Sequence, residues 1–130
     1  MSTSRALLQV VSSGILSAFT LTSDAATKES YGRTVYVSTL NSPVTFTATL
    51  APADASGTVQ FFDGQTSLGA QAVSGGTAAF TTSSLAAGVH KIWAFYTGDA
   101  SFRPRWAKAV TQQVLDTASG DNVDTRLSSR

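Results

Sequence analysis

The sequence predicts an all-β chain, a two-sheet Greek-key sandwich of about seven short strands over residues 33–115. Three observations carry that prediction. From Arg33 onward apolar residues alternate with polar ones at a period of two. Turn signals built on Gly, Pro, Asn and Asp recur about every ten residues, the spacing of consecutive sandwich strands. A chain of 130 residues with 42% hydrophobic content is long enough to bury one core without staples, and it contains no cysteine to make any.

Residues 1–26 stand apart from this pattern. Arg5 supplies an early positive charge, a mostly apolar run extends from Ala6 to Leu21, and Ser23-Asp24-Ala25 places small residues at the spacing a signal peptidase accepts. A secretory leader is one reading. The other is an N-terminal arm outside the sandwich, an amphipathic helix or early strand, because Leu7, Leu8, Val11, Ile15, Ala18 and Phe19 fall near one face at helical spacing. Gln9, Ser12, Ser13, Gly14 and Ser17 interrupt the run. At 16 residues it is also shorter than the roughly 20 a membrane span requires, so no transmembrane span is expected.

Val35 and Val37 mark a weak first strand, turned by Asn41-Ser42-Pro43. Val44, Phe46, Ala48 and Leu50 then alternate with Thr45, Thr47 and Thr49, and Ala51-Pro52 ends the run because proline cannot donate to a ladder. Val59 and Phe61 point inward from the next strand, which Asp63-Gly64 closes with residues that tolerate positive φ. A short strand around Leu68-Gly69 and a turn at Gly75-Gly76 lead to Ala78 and Phe80. Ile92, Ala94 and Tyr96 form the inner face of the following strand, Gly98-Asp99 ends it, and a last strand falls between Trp106 and Leu115. Phe46, Val59, Phe80, Ile92 and Tyr96 are expected to meet between the sheets. Residues 116–130 have no apolar period and read as a flexible tail.

Charge narrows the function classes. Only 13% of residues are charged and the net charge is +1, far from the basic domain or stripe of a general nucleic-acid binder; no nucleic-acid partner is expected. The abundance of Ser, Thr, Ala and Gly suits an extracellular β-domain better than a cytosolic enzyme. Without cysteine, disulfide frameworks, thiolate metal sites and cysteine nucleophiles are excluded.

Gly57-Thr58-Val59, Phe61, Asp63-Gly64, Leu68-Gly69, Leu85, Gly88, His90, Ile92, Ala94, Tyr96, Gly98-Asp99 and Phe102 occur in an ordered set. With SPVTFTATLAP at residues 42–52, this set resembles the bacterial Ig-like domain repeats of secreted and cell-surface proteins, over about Thr34 to Val114. The resemblance implies an Ig-like β-sandwich serving as a spacer, stalk or adhesive module at the cell surface, with no catalytic residues shared by the family and no cofactor. Partners on that reading are a protein or carbohydrate at a cell surface, a second copy, or neighbouring Ig-like domains. Where such repeats carry small or polar residues on the outer side of the Tyr96 strand, this chain has Lys91, Trp93 and Phe95.

That departure supplies the candidate binding site. If Ile92, Ala94 and Tyr96 face inward, alternation turns Trp93 and Phe95 outward, Phe62 lies beside them on the neighbouring strand, and Trp106 joins if a bulge directs it there. Exposed aromatic patches are interaction sites when nothing of the chain's own covers them. Here the competing occupants are residues 1–30 and a second copy. Arg103, Arg105 and Lys108 form a basic run around Trp106 that suits either an acidic glycan or a solvated edge. The single histidine, His90, is expected as a structural anchor at the corner entering its strand, since no activated nucleophile or orienting acid accompanies it. Asp54, Asp63, Asp99 and Asp121 lack the clustered spacing of a calcium loop, so no metal site is expected. The expected role is thus a non-enzymatic structural or adhesive module. Glycan binding through the aromatic face, or decoration of a virion or surface layer, are the alternatives.

Overall fold

The structure, a computed structural model, describes residues 14–116. They form ten strands: β1 (Ala18–Ser23), β2 (Ala26–Ser30), β3 (Arg33–Thr39), β4 (Val44–Ala51), β5 (Thr58–Asp63), β6 (Thr66–Ala72), β7 (Thr77–Thr82), β8 (Gly88–Tyr96), β9 (Arg105–Trp106) and β10 (Val110–Leu115). A three-stranded sheet in the order β1-β4-β7 packs on a seven-stranded sheet in the order β2-β3-β10-β8-β5-β6, with β9 paired to β8. Neighbouring strands are antiparallel throughout except β3 and β10, which run parallel from Val35↔Thr111 to Thr39↔Leu115. The chain is an all-β sandwich.

Ten strands replace the expected seven or so, and most of the difference lies before Arg33. Ala18–Ser23, expected in an arm outside the sandwich, is instead an edge of the small sheet, paired along its length with β4 from Ala18↔Ala51 to Ser23↔Phe46. The physical reason is alternation over AFTLTS: Phe19 and Leu21 are buried in the core while Thr20 and Thr22 turn outward. Helical spacing over Leu7–Phe19 competes with that short period-two signal, and burial against β4 decides between them. A leader cleaved after Ala25 would remove Phe19 and Leu21 from this core. The rest of the early apolar run, residues 1–13, and the expected tail from 117 onward lie outside the described residues.

The core sits between the sheets as the alternation requires. In β4, Val44, Phe46, Ala48 and Leu50 are buried, and Thr45 instead bonds across the sheet to Thr81, with the two hydroxyl oxygens 2.7 Å apart. From the large sheet Val59, Phe61, Ile92, Ala94 and Tyr96 are fully buried. Each such large side chain removed from water contributes about 1.5–3 kcal/mol. Phe80, expected with them, is only half-buried: it lies at the margin, stacked on Phe61 with ring centroids 5.7 Å apart. Gly69 makes that position possible, because a Cβ there would stand 2.8 Å from the Phe80 ring.

Among the described residues one polar side chain is fully buried. Gln112 is 0% exposed, its Nε2 donates to Ser38 Oγ at 3.0 Å, and its Oε1 has no partner among the described residues.

Candidate functional site

The outer face of the large sheet gathers Phe62, Trp93, Phe95 and Trp106. In β8, Ile92, Ala94 and Tyr96 are buried inward, so Lys91, Trp93 and Phe95 point out. β5 flanks β8 with Phe62 opposite Trp93 and Gln60 opposite Phe95. A shift in the β5–β6 register between Phe61 and Phe62 lies beside this corner of the sheet.

Trp106 completes the group because the last strand is broken. Tyr96 and Phe95 pair with Arg105 and Trp106 in β9, whereas Ile92 pairs with Val110 in β10. Three steps along β8 thus match four along its partner, which is a one-residue bulge. The bulge keeps Ala107 buried, with its N–H donating to Ala94 O at 3.0 Å, and leaves Trp106 on the same side as Phe95. The Trp106 ring centroid lies 4.7 Å from that of Phe95, 5.7 Å from Phe62 and 6.2 Å from Trp93, at interplanar angles of 45°, 46° and 82°. It remains 54% exposed. The Lys91 ammonium sits 5.5 Å from the Trp93 ring centroid, within cation–π range.

From this cluster the face continues across β10, β3 and β2. Thr111 stands opposite Lys91, and Val35 opposite Thr111. An open depression beyond them is lined by Lys28, Arg33, Val35, Val89, Thr111 and Gln113. β2 bears no apolar alternation, so sequence reasoning did not foresee Lys28 or Arg33 on this face; the hairpin signal Tyr31-Gly32, with φ of 53° and 77°, was the available clue.

The remaining polar candidates are hydrogen-bonded within the sandwich. His90, on the inner side of β8, ties two turns together: Nε2 donates to Ala86 O at 2.6 Å, and Nδ1 meets Asp63 Oδ2 at 2.6 Å. At the opposite end of β8, Asp99 Oδ2 accepts from the Ser56 N–H at 2.7 Å and the Ser56 hydroxyl at 2.9 Å, while Oδ1 accepts from the N–H groups of Ser101 and Phe102, both at 2.7 Å. Desolvation pushes the Asp99 carboxyl up, but these donors outweigh it and hold its pKa down at about 2. Tyr96 donates to Ser56 O at 2.6 Å, and its pKa is pushed up to about 12 by burial, then by the charge of Asp99 and its hydrogen bond. Gly57 lies inside this network with φ +103°, where a Cβ would fall 2.6 Å from Gly98 O, so only glycine fits.

The basic run is divided. Arg105 Nη1 donates to Leu16 O at 2.8 Å and the Arg103 N–H to Gly14 O at 2.9 Å, which fastens the entering chain to the β8–β9 connection. Lys108 is exposed. Of the carboxylates weighed for calcium, Asp63 is joined to His90, Asp99 is filled by N–H and O–H donors, Asp54 is exposed, and Asp121 lies outside the described residues. Among the described residues there is no group of three or more His, Cys, Asp or Glu placed to hold a metal, and no helix long and apolar enough to cross a membrane.

Against known proteins, a family model described as bacterial Ig-like domain (group 3) matches residues 33–115. Among solved structures, a fibronectin(III)-like module of Clostridium thermocellum CbhA superposes with a TM-score of 0.56 at 14% identity, covering 75% of this chain and 96% of that one. At that identity the likeness is one of fold. No curated protein matches the chain.

Proposed function

The chain belongs to the bacterial Ig-like domain family (group 3), and from that membership we propose that it serves as a non-enzymatic structural module of the cell surface or extracellular space, joining or spacing what lies on either side of it. The observation that carries this reading is where the described chain enters and leaves. It enters at Gly14, bridged to Phe102 beyond the Tyr96 end of β8, and leaves at Leu115, whose carbonyl accepts from Leu40 at 2.8 Å near the Gly88 end. β8 has nine residues, which separates the two ends by about 30 Å at roughly 3.3 Å per residue. Gly14 and Leu115 therefore lie at opposite ends of the sandwich, and tension applied between them runs parallel to the strands. β1 would be drawn along β4, and β10 along β3 and β8, so their ladder hydrogen bonds share the load rather than opening one at a time.

The titratable groups support the same reading, since His90, Asp99 and Tyr96 each tie one part of the sandwich to another. Single-molecule extension from the two chain ends tests the mechanical part. A single cooperative rupture that releases the sandwich as one unit is expected, and stepwise peeling of strands at low force would refute it. Surface proteolysis of intact source cells tests location: cleavage without lysis is expected, and full protection until lysis would refute an extracellular site.

A further inference from the structure

We propose that the outer face of the large sheet is a binding track for an acidic polysaccharide of the uronic-acid type. The inference stands on this face alone and is independent of the in-line role, which is read from the ends of the sandwich.

The face is two-part. At one end three rings converge on Trp106, which presents more than half of its surface to solvent. At the other lies the open depression with Lys28 and Arg33 on its rim. Lys91, beside the Trp93 ring and opposite Thr111, joins the two. Along β8, Val89 to Phe95 covers about 20 Å, and from β2 to β5 the sheet is roughly 19 Å wide. That extent accommodates several sugar units of an extended chain lying flat.

Covering by the chain's own early residues is excluded for those described. β1 lies in the other sheet, and β2 extends this sheet at its far edge instead of crossing the rings. Strand alternation has also sorted the charges. Lys28, Arg33 and Lys91 point outward. The two acidic residues within the strands of this sheet turn the other way: Glu29 accepts from Thr34 Oγ1 at 2.9 Å, and Asp63 is held by His90. The face is thus cationic although the whole chain carries a net charge of only +1.

A ligand complementary to it presents flat apolar C–H surfaces and carboxylates in one molecule. A polyuronate does both: sugar faces stack on the rings, while carboxylates pair with Lys91 and the rim cations. Gln113 and Thr111 add amide and hydroxyl groups for the sugar hydroxyls. A protein partner would instead be expected to anchor in a closed, fully desolvated pocket, and the depression on this face is open.

Affinity gel electrophoresis of the full chain in gels containing polygalacturonate or alginate, with an uncharged β-glucan as control, tests this. The expected result is retardation by both polyuronates that weakens as salt rises and exceeds any retardation by the glucan. Trp106→Ala is expected to lower the affinity at least tenfold. Because that variant also strips a ring from the cluster, the double variant Arg33→Gln, Lys91→Gln is measured beside it; it removes two surface charges and no ring, and is expected to lose retardation at an unchanged melting temperature. No retardation by either polyuronate, or equal retardation of the wild type and the double variant, overturns the proposal. So does self-association in sedimentation that Trp106→Ala abolishes, which would assign the face to a second copy.

Discussion

Replacing Asp99 with asparagine removes the charge at the centre of the network joining the β8–β9 connection to the loop before β5. The carboxylate accepts from four donors on Ser56, Ser101 and Phe102 at 2.7–2.9 Å. An amide keeps one oxygen and turns its NH₂ toward two of those donors. A pKa lowered from 3.8 to about 2 corresponds to about 2.4 kcal/mol at 1.36 kcal/mol per unit, and partial solvent access reduces this to about 1–2 kcal/mol. The folded pKa lies below the unfolded one, so the contribution is fully present above about pH 4 and disappears as pH falls toward 2. Near pH 3 roughly half of it is gone. Urea unfolding followed by the fluorescence of Trp93 and Trp106 reads this directly. At pH 7 the Asp99→Asn midpoint is expected to fall by about 1 M, and the gap to the wild type is expected to close between pH 4 and pH 2. Equal midpoints at pH 7, or a gap that stays constant down to pH 2, would refute the reasoning.

Two further outcomes are expected. Phe19→Ala should cost about 3–4 kcal/mol in urea or thermal unfolding, because Phe19 is buried and its ring centroid packs 6.2 Å from that of Tyr96; a change below about 0.5 kcal/mol would mean that β1 is an appendage. Tyr96→Phe leaves Ser56 O without its donor and should cost about 1–2 kcal/mol. Since the Tyr96 pKa is raised from 10.0 to about 12, its advantage over phenylalanine is complete below pH 10 and fades as pH rises toward 12. Unfolding of both proteins at pH 9 and pH 11.5 checks this, and an undiminished gap at the higher pH would contradict it.

The strands from Val44 onward were legible because period-two alternation bounded by turn residues leaves a sheet only one way to turn its apolar side. The outward direction of Trp93 and Phe95 followed from the inward direction of Ile92, Ala94 and Tyr96. The four-ring cluster was less legible, since it depends on one extra residue between Trp106 and Val110, and no single amino acid announces a bulge. β2 and its cation were not legible at all: ATKES has no buried side, and it pairs with β3 through the backbone ladder and one side-chain hydrogen bond from Thr34 to Glu29. Gly98-Asp99 read as a turn. Its use as an anchor for Ser56 depends on two loops 43 residues apart meeting at one end of the sandwich.

The amino-acid order determined the all-β class, the faces of β4, β5 and β8 and the single core, because the hydrophobic effect acts on every second residue of a strand and that spacing is written along the chain. Tertiary structure alone decided that Ala18–Ser23 is a strand, that Trp106 joins the outer rings, and that the cations of β2, β3 and β8 share a face with no strand carboxylate beside them. Those outcomes rest on which strands become neighbours and with what register. Pairing through backbone groups common to all residues leaves little mark on a local pattern.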